Sequence, residues 1–225
     1  MLTDLGHLSS AVGHHVINAF AAIVANAEIL RLKADNISTL DLVGVSEMMV
    51  QTALEASGVA RRLIDYTRPI TTPRGESVSL DRLVAEVYDQ ERAKGRADTE
   101  WAIDFAPIPP IVGSPEQLRQ MVRLFLANSY EAALEKPLKI KAKGMVDGRG
   151  WIVIEFTDDA TGMRHEESGR AVEPFFTSKP AHIGVGLSIA NGIWRRHRGT
   201  LSVRSIPDEG TCIRLSIEPP RLRTA

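Results

Sequence analysis

Cysteine is nearly absent. Cys212 is the only one among 225 residues, which excludes an internal disulfide framework and fits a reducing compartment. Proline is missing before Pro69, so nothing interrupts helix formation in the first 68 residues. An excess of one charge sign is lacking as well. With 27 basic and 28 acidic residues the formal net charge is −1, and nothing marks a nucleic-acid partner. No apolar run reaches the roughly 20 residues of a membrane-spanning helix. The best candidate, 16–30, carries Asn18, Asn26 and Glu28. The first residues do not read as a basic-then-apolar signal peptide. These absences predict a soluble, cytoplasmic chain of one or two domains, long enough for a real core.

What is present divides into two textures. In 1–68, Leu42, Val45, Met49, Thr52, Ala56, Val59, Leu63 and Tyr66 follow one another in steps of three and four, the spacing of a coiled-coil seam. Val12, Val16, Ala19, Ile23, Ala27 and Leu30 make a similar stripe upstream, and "KADNIST" reads as the turn between them. The prediction is a helical hairpin. Two helices cannot cover both stripes, so a homodimer forming a four-helix bundle is expected. "RPITTPRGES", with two prolines and a glycine, reads as a linker over 69–77.

From 78 to 220 helix and strand signals mix. "LDRLVAEVYDQERA" is an amphipathic helix and "TEWAIDFA" alternates as a strand. A long helix opens with Ser114 as N-cap, Pro115 in first position and Gln117 in third. "LKIKAKGMV" and "GWIVIEFTDD" read as neighbouring strands joined through "DGRG". A lid-like loop follows, then the helix "VGLSIANGIWRRH" and the strands "GTLSVRS" and "GTCIRLSIE". The fold class is therefore α+β, a mixed sheet with helices on one face.

Four stretches of this second part converge on one ligand. "FLANSYEAA" presents Asn128 and Glu131, and an amide oxygen there suits a Mg²⁺ shell otherwise made of phosphates and water. "FTDDATGM" puts Asp158 at a strand end, where a carboxylate can accept from an exocyclic amine, before a turn freed by Gly162. "EPFFTSK" supplies an apolar anchor, Phe175 and Phe176, and a cation, Lys179. "HIGVGLSIANGI" places Gly184 and Gly186 just before a helix, whose N–H groups and positive end favour an anion. Each stretch alone has an ordinary reading; their order and spacing do not.

In that order the sequence resembles the sensor histidine kinases of two-component systems. "LFLANSYEAA" looks like their N box, "DDATGM" their first glycine box, "EPFFTSK" their F box and "GVGL" their second. "RHRGTLSVRSIPDEGTCIRLSI" is similar to their terminal strand pair, and "VGHHVINAFAAI" to the H box. The gap between the first glycine box and the F box suits the nitrogen-regulator type. The resemblance implies a phosphoacceptor hairpin followed by an ATP-binding domain of the GHKL (Bergerat) type, shared with gyrase and a class of heat-shock chaperones. It implies autophosphorylation with ATP and Mg²⁺ and transfer to an aspartate of a response regulator receiver domain. His14 becomes the nucleophile, because Asn18 then falls four residues on. His14 also lies off the Val12–Val16–Ala19–Ile23 stripe and points outward, and a neutral imidazole is a competent nucleophile near neutral pH. Asn18 takes the position associated with dephosphorylating the regulator. By the same carry-over Asn128 meets Mg²⁺ and Asp158 the adenine. Gly162, Gly184 and Gly186 surround the nucleotide, Lys179 contacts phosphate, and Thr211 lies near the base.

The sequence also departs from the family's pattern. His15 stands where an acid usually follows the phosphoacceptor, Ala19 where proline is common, and Ala160 and His182 where glycines are usual. Leu124 and Val172 replace an asparagine and a phenylalanine. The rival expectation is a dimeric histidine phosphotransfer protein with a degenerate ATP-binding domain, which Ala160, His182 and His15 favour and which Asn128, Asp158 and Lys179 oppose.

Overall fold

The computed structural model describes residues 18–32, 41–53, 75–94, 99–133, 136–174, 176–179 and 184–219. The chain divides into two compact units, Met1–Arg68 and Pro69–Ala225.

In the first unit, residues 18–32 form helix α1 and residues 41–53 helix α2. The less exposed positions are Ala19, Ile23, Asn26 and Leu30 along α1, and Val45, Met49 and Thr52 along α2. Steps of four, three and four define a heptad seam. One seam position differs from the sequence reading: the stripe passes through Asn26, and Ala27 faces outward. A step of three from Ile23 keeps the seven-residue repeat from Ala19 to Asn26, whereas a step of four to Ala27 breaks it. Leu42 is more exposed than its seam neighbours. Phe20 and Val24, 61% and 59% exposed, leave a broad apolar flank on α1. The rest of both stripes and the turn between them lie outside the described residues.

The second unit is a five-stranded sheet with helices on one face. Its elements are β1 (Glu76–Val78), α3 (Leu80–Arg92), β2 (Thr99–Phe105), β3 (Ile111–Gly113), α4 (Pro115–Ala133), β4 (Leu138–Val146), β5 (Ile152–Asp158), α5 (His165–Arg170), α6 (Gly186–Arg196), β6 (Thr200–Ile206) and β7 (Gly210–Ile217). Sheet order is β2-β4-β5-β7-β6. β2 runs parallel to β4 and the other neighbours are antiparallel. Alternation explains the two faces. Leu138, Ile140 and Ala142 of β4 point to the helices, while Lys139, Lys141 and Lys143 point away. On the open face Lys139 meets Glu100 at 3.3 Å and Lys141 meets Asp104 at 3.7 Å across strands, and Arg214 meets Glu155 at 2.8 Å.

α4 packs against α3 and α6, and the core between helices and sheet holds Phe125, Leu118, Ile154, Leu215 and Trp194, all below 2% exposure. Burial of each such side chain contributes about 1.5–3 kcal/mol. Trp194 also ties α6 to the sheet, its indole N–H donating to the Thr200 carbonyl at 3.0 Å. Ser114 opens α4 as its pattern predicts, accepting from the Gln117 N–H at 3.4 Å.

Two features were not visible in the sequence. β1 and β3 pair as a separate two-stranded sheet, so Glu76 and Ser77, read as linker, are strand. Inside the lid-like loop a short helix, α5, buries none of its residues. It is held instead by its ends, where the Arg164 N–H donates to the Glu167 carboxylate at 2.8 Å.

One register row positions the site. Trp101 pairs with Ile140, Ile140 with Asp158, Asp158 with Thr211, and Thr211 with Ser205. Directly paired residues share a face, so this row lies on the helix side at one end of the sheet.

Candidate functional site

Asp158 ends β5 with its carboxylate held from three directions. Its Oδ1 accepts the N–H of Ala160 at 3.2 Å and the N–H of Thr211 at 3.1 Å. Its Oδ2 accepts the Ser129 hydroxyl of α4 at 2.6 Å. Thr211 continues outward, its Oγ1 lying 2.9 Å from the Ser205 hydroxyl oxygen. Ser205 accepts the Met163 N–H at 2.8 Å and lies 2.9 Å from the Gly210 carbonyl. Tyr88 and Tyr130 stack edgewise on Trp101 with centroids 4.8 and 6.1 Å away. Burial pushes the Tyr88 hydroxyl pKa up, and the nearby Tyr130 and Asp158 push in the same direction.

Two glycines make the turns around this carboxylate possible. Gly162 has φ +65°, and a Cβ there would lie 2.0 Å from the Ile206 carbonyl oxygen. Gly210 has φ +109°, and a Cβ there would lie 1.9 Å from the Asp158 carbonyl oxygen. Only glycine meets both conditions. Ala160 is different. It is buried, and its φ is not among the positive ones, so its methyl group costs no backbone strain.

A second cluster sits where α4 meets the start of α6. Asn128 lies against Gly186, its Oδ1 3.3 Å from where a Cβ on that glycine would be. The Asn128 amide nitrogen is buried and has no partner among the described residues. The Lys179 ammonium lies 3.5 Å from the Asn128 carbonyl and 3.7 Å from the Glu131 carboxylate. Burial lowers the Lys179 pKa, and Glu131 and Asp158 pull it partway back. Gly184 has φ +69°, and Val185 gives α6 no side-chain cap, so the first-turn N–H groups and the positive helix end face this cluster. Arg170 stacks on the Phe176 ring at 4.3 Å and joins Glu173 at 2.9 Å, which fastens α5 to the segment carrying Lys179.

The structure thus brings Asn128, Gly186 and Lys179 together as one group, and Asp158, Gly162 and Thr211 as another, with α4 spanning both. Asn18 is exposed on α1. His14, His15, Phe175 and His182 lie outside the described residues. Residues 113–221 match the family described as histidine kinase-, DNA gyrase B-, and HSP90-like ATPase. That segment, a little under half of the chain, is similar to the ATPase domains of this family.

Homology extends beyond the ATPase domain. The signal transduction histidine-protein kinase AtoS of Escherichia coli is 25% identical over 95% of this chain and 35% of its own length. The C4-dicarboxylate transport sensor protein DctB of Pseudomonas aeruginosa is 27% identical over 97% of this chain and 36% of its own. The chain spans little more than a third of these relatives. Among solved structures, the histidine kinase ThkA in complex with response regulator protein TrrA superposes with a TM-score of 0.77 at 18% identity, covering 96% of this chain and 62% of that one. The chain is homologous to sensor histidine kinases along nearly its whole length.

Sequence reasoning overlooked three residues of the Asp158 cluster: Ser129, Ser205 and Gly210. Ser129 had a readable signal, a hydroxyl in the middle of a helix on its buried face. Ser205 and Gly210 had none, because only strand register brings them to Asp158. Asp159, next in sequence, is turned away from the site and accepts the Lys139 N–H at 2.7 Å.

Proposed function

We propose that the chain is an ATP-dependent protein-histidine kinase. His14 is its nucleophile and takes the γ-phosphoryl group, which then passes to an aspartate of a response regulator receiver domain. The observation that carries this reading is the homology to sensor histidine kinases over 95–97% of the chain, phosphoacceptor stretch and ATPase domain together. His15 accepts from the His14 imidazole when neutral, in place of the usual acid.

Asp158 reads the adenine amine and Thr211 lies beside it. Gly162, Gly184 and Gly186 shape the backbone around the nucleotide, and Lys179 meets its phosphates. Mg²⁺ fits the phosphate end in a particular way. Among the described residues no three His, Cys, Asp or Glu side chains could hold a metal by themselves, whereas Asn128 brings its amide oxygen to the start of α6, against Gly186. A hard cation carried on phosphates and completed by one amide oxygen suits that donor set. When bound it would neutralise charge on the phosphates. Asn18 orients water for dephosphorylating the regulator. The apolar stripes of α1 and α2 pair two copies in a four-helix bundle, in the cytoplasm; no described helix is long and apolar enough to cross a membrane.

The rival reading, a phosphotransfer protein with a degenerate ATP site, loses one of its reasons, since Ala160 occupies a backbone conformation open to any residue. Intact mass after incubation with Mg-ATP, handled without acid, separates the two. The kinase gains one phosphoryl group, absent in His14→Gln and in Asn128→Ala. Asn18→Ala keeps that gain and lengthens the lifetime of the regulator's phosphate. A folded wild type that neither binds ATP nor gains phosphate turns the assignment to the phosphotransfer protein.

A further inference from the structure

We infer that the Ser129 hydroxyl is a positioning residue for base recognition, fixing the Asp158 carboxylate so that its one remaining lone pair selects an exocyclic amine. The inference rests on the nucleotide reading of the site and goes beyond it to the source of base specificity.

The argument is a count of donors and acceptors. A carboxylate offers about four acceptor positions. Asp158 spends two on the Ala160 and Thr211 N–H groups and one on Ser129, which leaves one, on Oδ2. The Ser129 hydroxyl has a single proton and two acceptors in reach, Asp158 Oδ2 at 2.6 Å and the Phe125 carbonyl at 3.3 Å. The shorter contact is in the range of a charge-assisted hydrogen bond, roughly twice as strong as a neutral one, so the proton goes to Asp158. Ser129 is buried, only 7% exposed.

Thr211 agrees in sign. Ser205 lies 2.9 Å from the Gly210 carbonyl and gives its proton there, while it accepts from Met163. Thr211 must then be the donor in its contact with Ser205. Both groups near the base therefore present acceptors and keep no proton to give. A ring carrying a keto oxygen at that position finds no donor, whereas an amino group finds the open lone pair. Without Ser129 the two backbone N–H groups still hold Oδ1, but Oδ2 is no longer tied to α4. Since Asn128 immediately precedes Ser129 on α4, the same hydroxyl sets the base reader in register with the phosphate end.

The test is direct binding of ATP and of inosine triphosphate, its 6-keto counterpart, to the full chain. Four forms are compared: wild type, Ser129→Ala, Asp158→Ala and the double variant. Alanine is smaller and a better helix former, so Ser129→Ala is expected to fold. It should weaken ATP about tenfold and leave inosine triphosphate unchanged, which shrinks the preference by the same factor, and it should have no effect in the Asp158→Ala background. Equal loss of both nucleotides, or a loss that persists without Asp158, marks a merely structural serine and overturns the inference. So does an unchanged preference in Ser129→Ala when wild type binds ATP well. A wild type that binds neither nucleotide overturns the nucleotide reading itself.

Discussion

Gly162 and Ala160 stand two residues apart in one turn and carry opposite consequences. At Gly162 a methyl group adds a left-handed backbone cost of about 1–2 kcal/mol to a collision with the Ile206 carbonyl. Gly162→Ala is therefore expected to destabilise the ATPase domain by about 2–4 kcal/mol and to abolish nucleotide binding, read by thermal melting and calorimetry. Ala160→Gly relieves no strain, so nucleotide affinity should stay within about twofold while stability falls by roughly 0.5–1 kcal/mol from added chain entropy. A large gain in affinity would mean that the alanine does obstruct the site. This pair also marks how far sequence carries at the residue scale. Asp158 was legible because a carboxylate, a turn and a flexible glycine adjoin in the chain. Ser129 gave only the hint of a hydroxyl on a buried helix face, and Ser205 gave none, because their meaning lies in an Asp158 that is 29 positions from the one and reached from the other only through the β6–β7 register.

Among the elements, α4 and α6 are joined at their far ends by His197. Its Nδ1–H donates to the Ile193 carbonyl at 2.8 Å, and its Nε2 accepts the Ser114 N–H at 3.1 Å. Both bonds require the neutral ring, because a proton on Nε2 would face a donor. Burial lowers its pKa from the ordinary 6.5, and the nearby Arg196 adds to that. As pH falls below about 6.5 the unfolded chain takes up this proton before the folded one does. The His197 contribution is then complete above that pH and lost progressively below it. Melting temperatures between pH 7.5 and 5 should fall for the wild type and fall less for His197→Gln, whose amide oxygen can accept the same N–H. The longer elements were readable from their periodicity and caps, as Ser114 illustrates. α5 and the β1–β3 pair escaped because six residues with no buried side chain, or three-residue strands, carry no periodic signal.

For the whole molecule, the seam of α1 was legible only in part. A polar residue inside an apolar seam fixes register and copy number at some expense of stability. Asn26 holds that position in the proposed bundle. Asn26→Leu should stabilise the dimer by about 1–2 kcal/mol per seam, read as a higher dissociation temperature, and broaden the oligomeric distribution in sedimentation. A chain that sediments as a monomer at all concentrations, wild type and variant alike, would remove the bundle from the proposal. The apolar pattern alone could not choose Asn26 over Ala27, because steps of three and four are equally allowed until the repeat is fixed.

The row from Trp101 to Ser205 has one more effect. Sliding β7 by two residues along β5 would keep every apolar side chain facing inward, so burial alone distinguishes the shifted sheet only weakly. The slide would nevertheless bring Ile213 opposite Asp158 and strip the carboxylate of the Thr211 N–H. The polar end of the sheet thus acts as a checksum on the apolar remainder, and a ligand at 100 times its dissociation constant deepens the correctly aligned state by about 2.7 kcal/mol. The molecule audits its own strand alignment at the end of the sheet proposed to read the base.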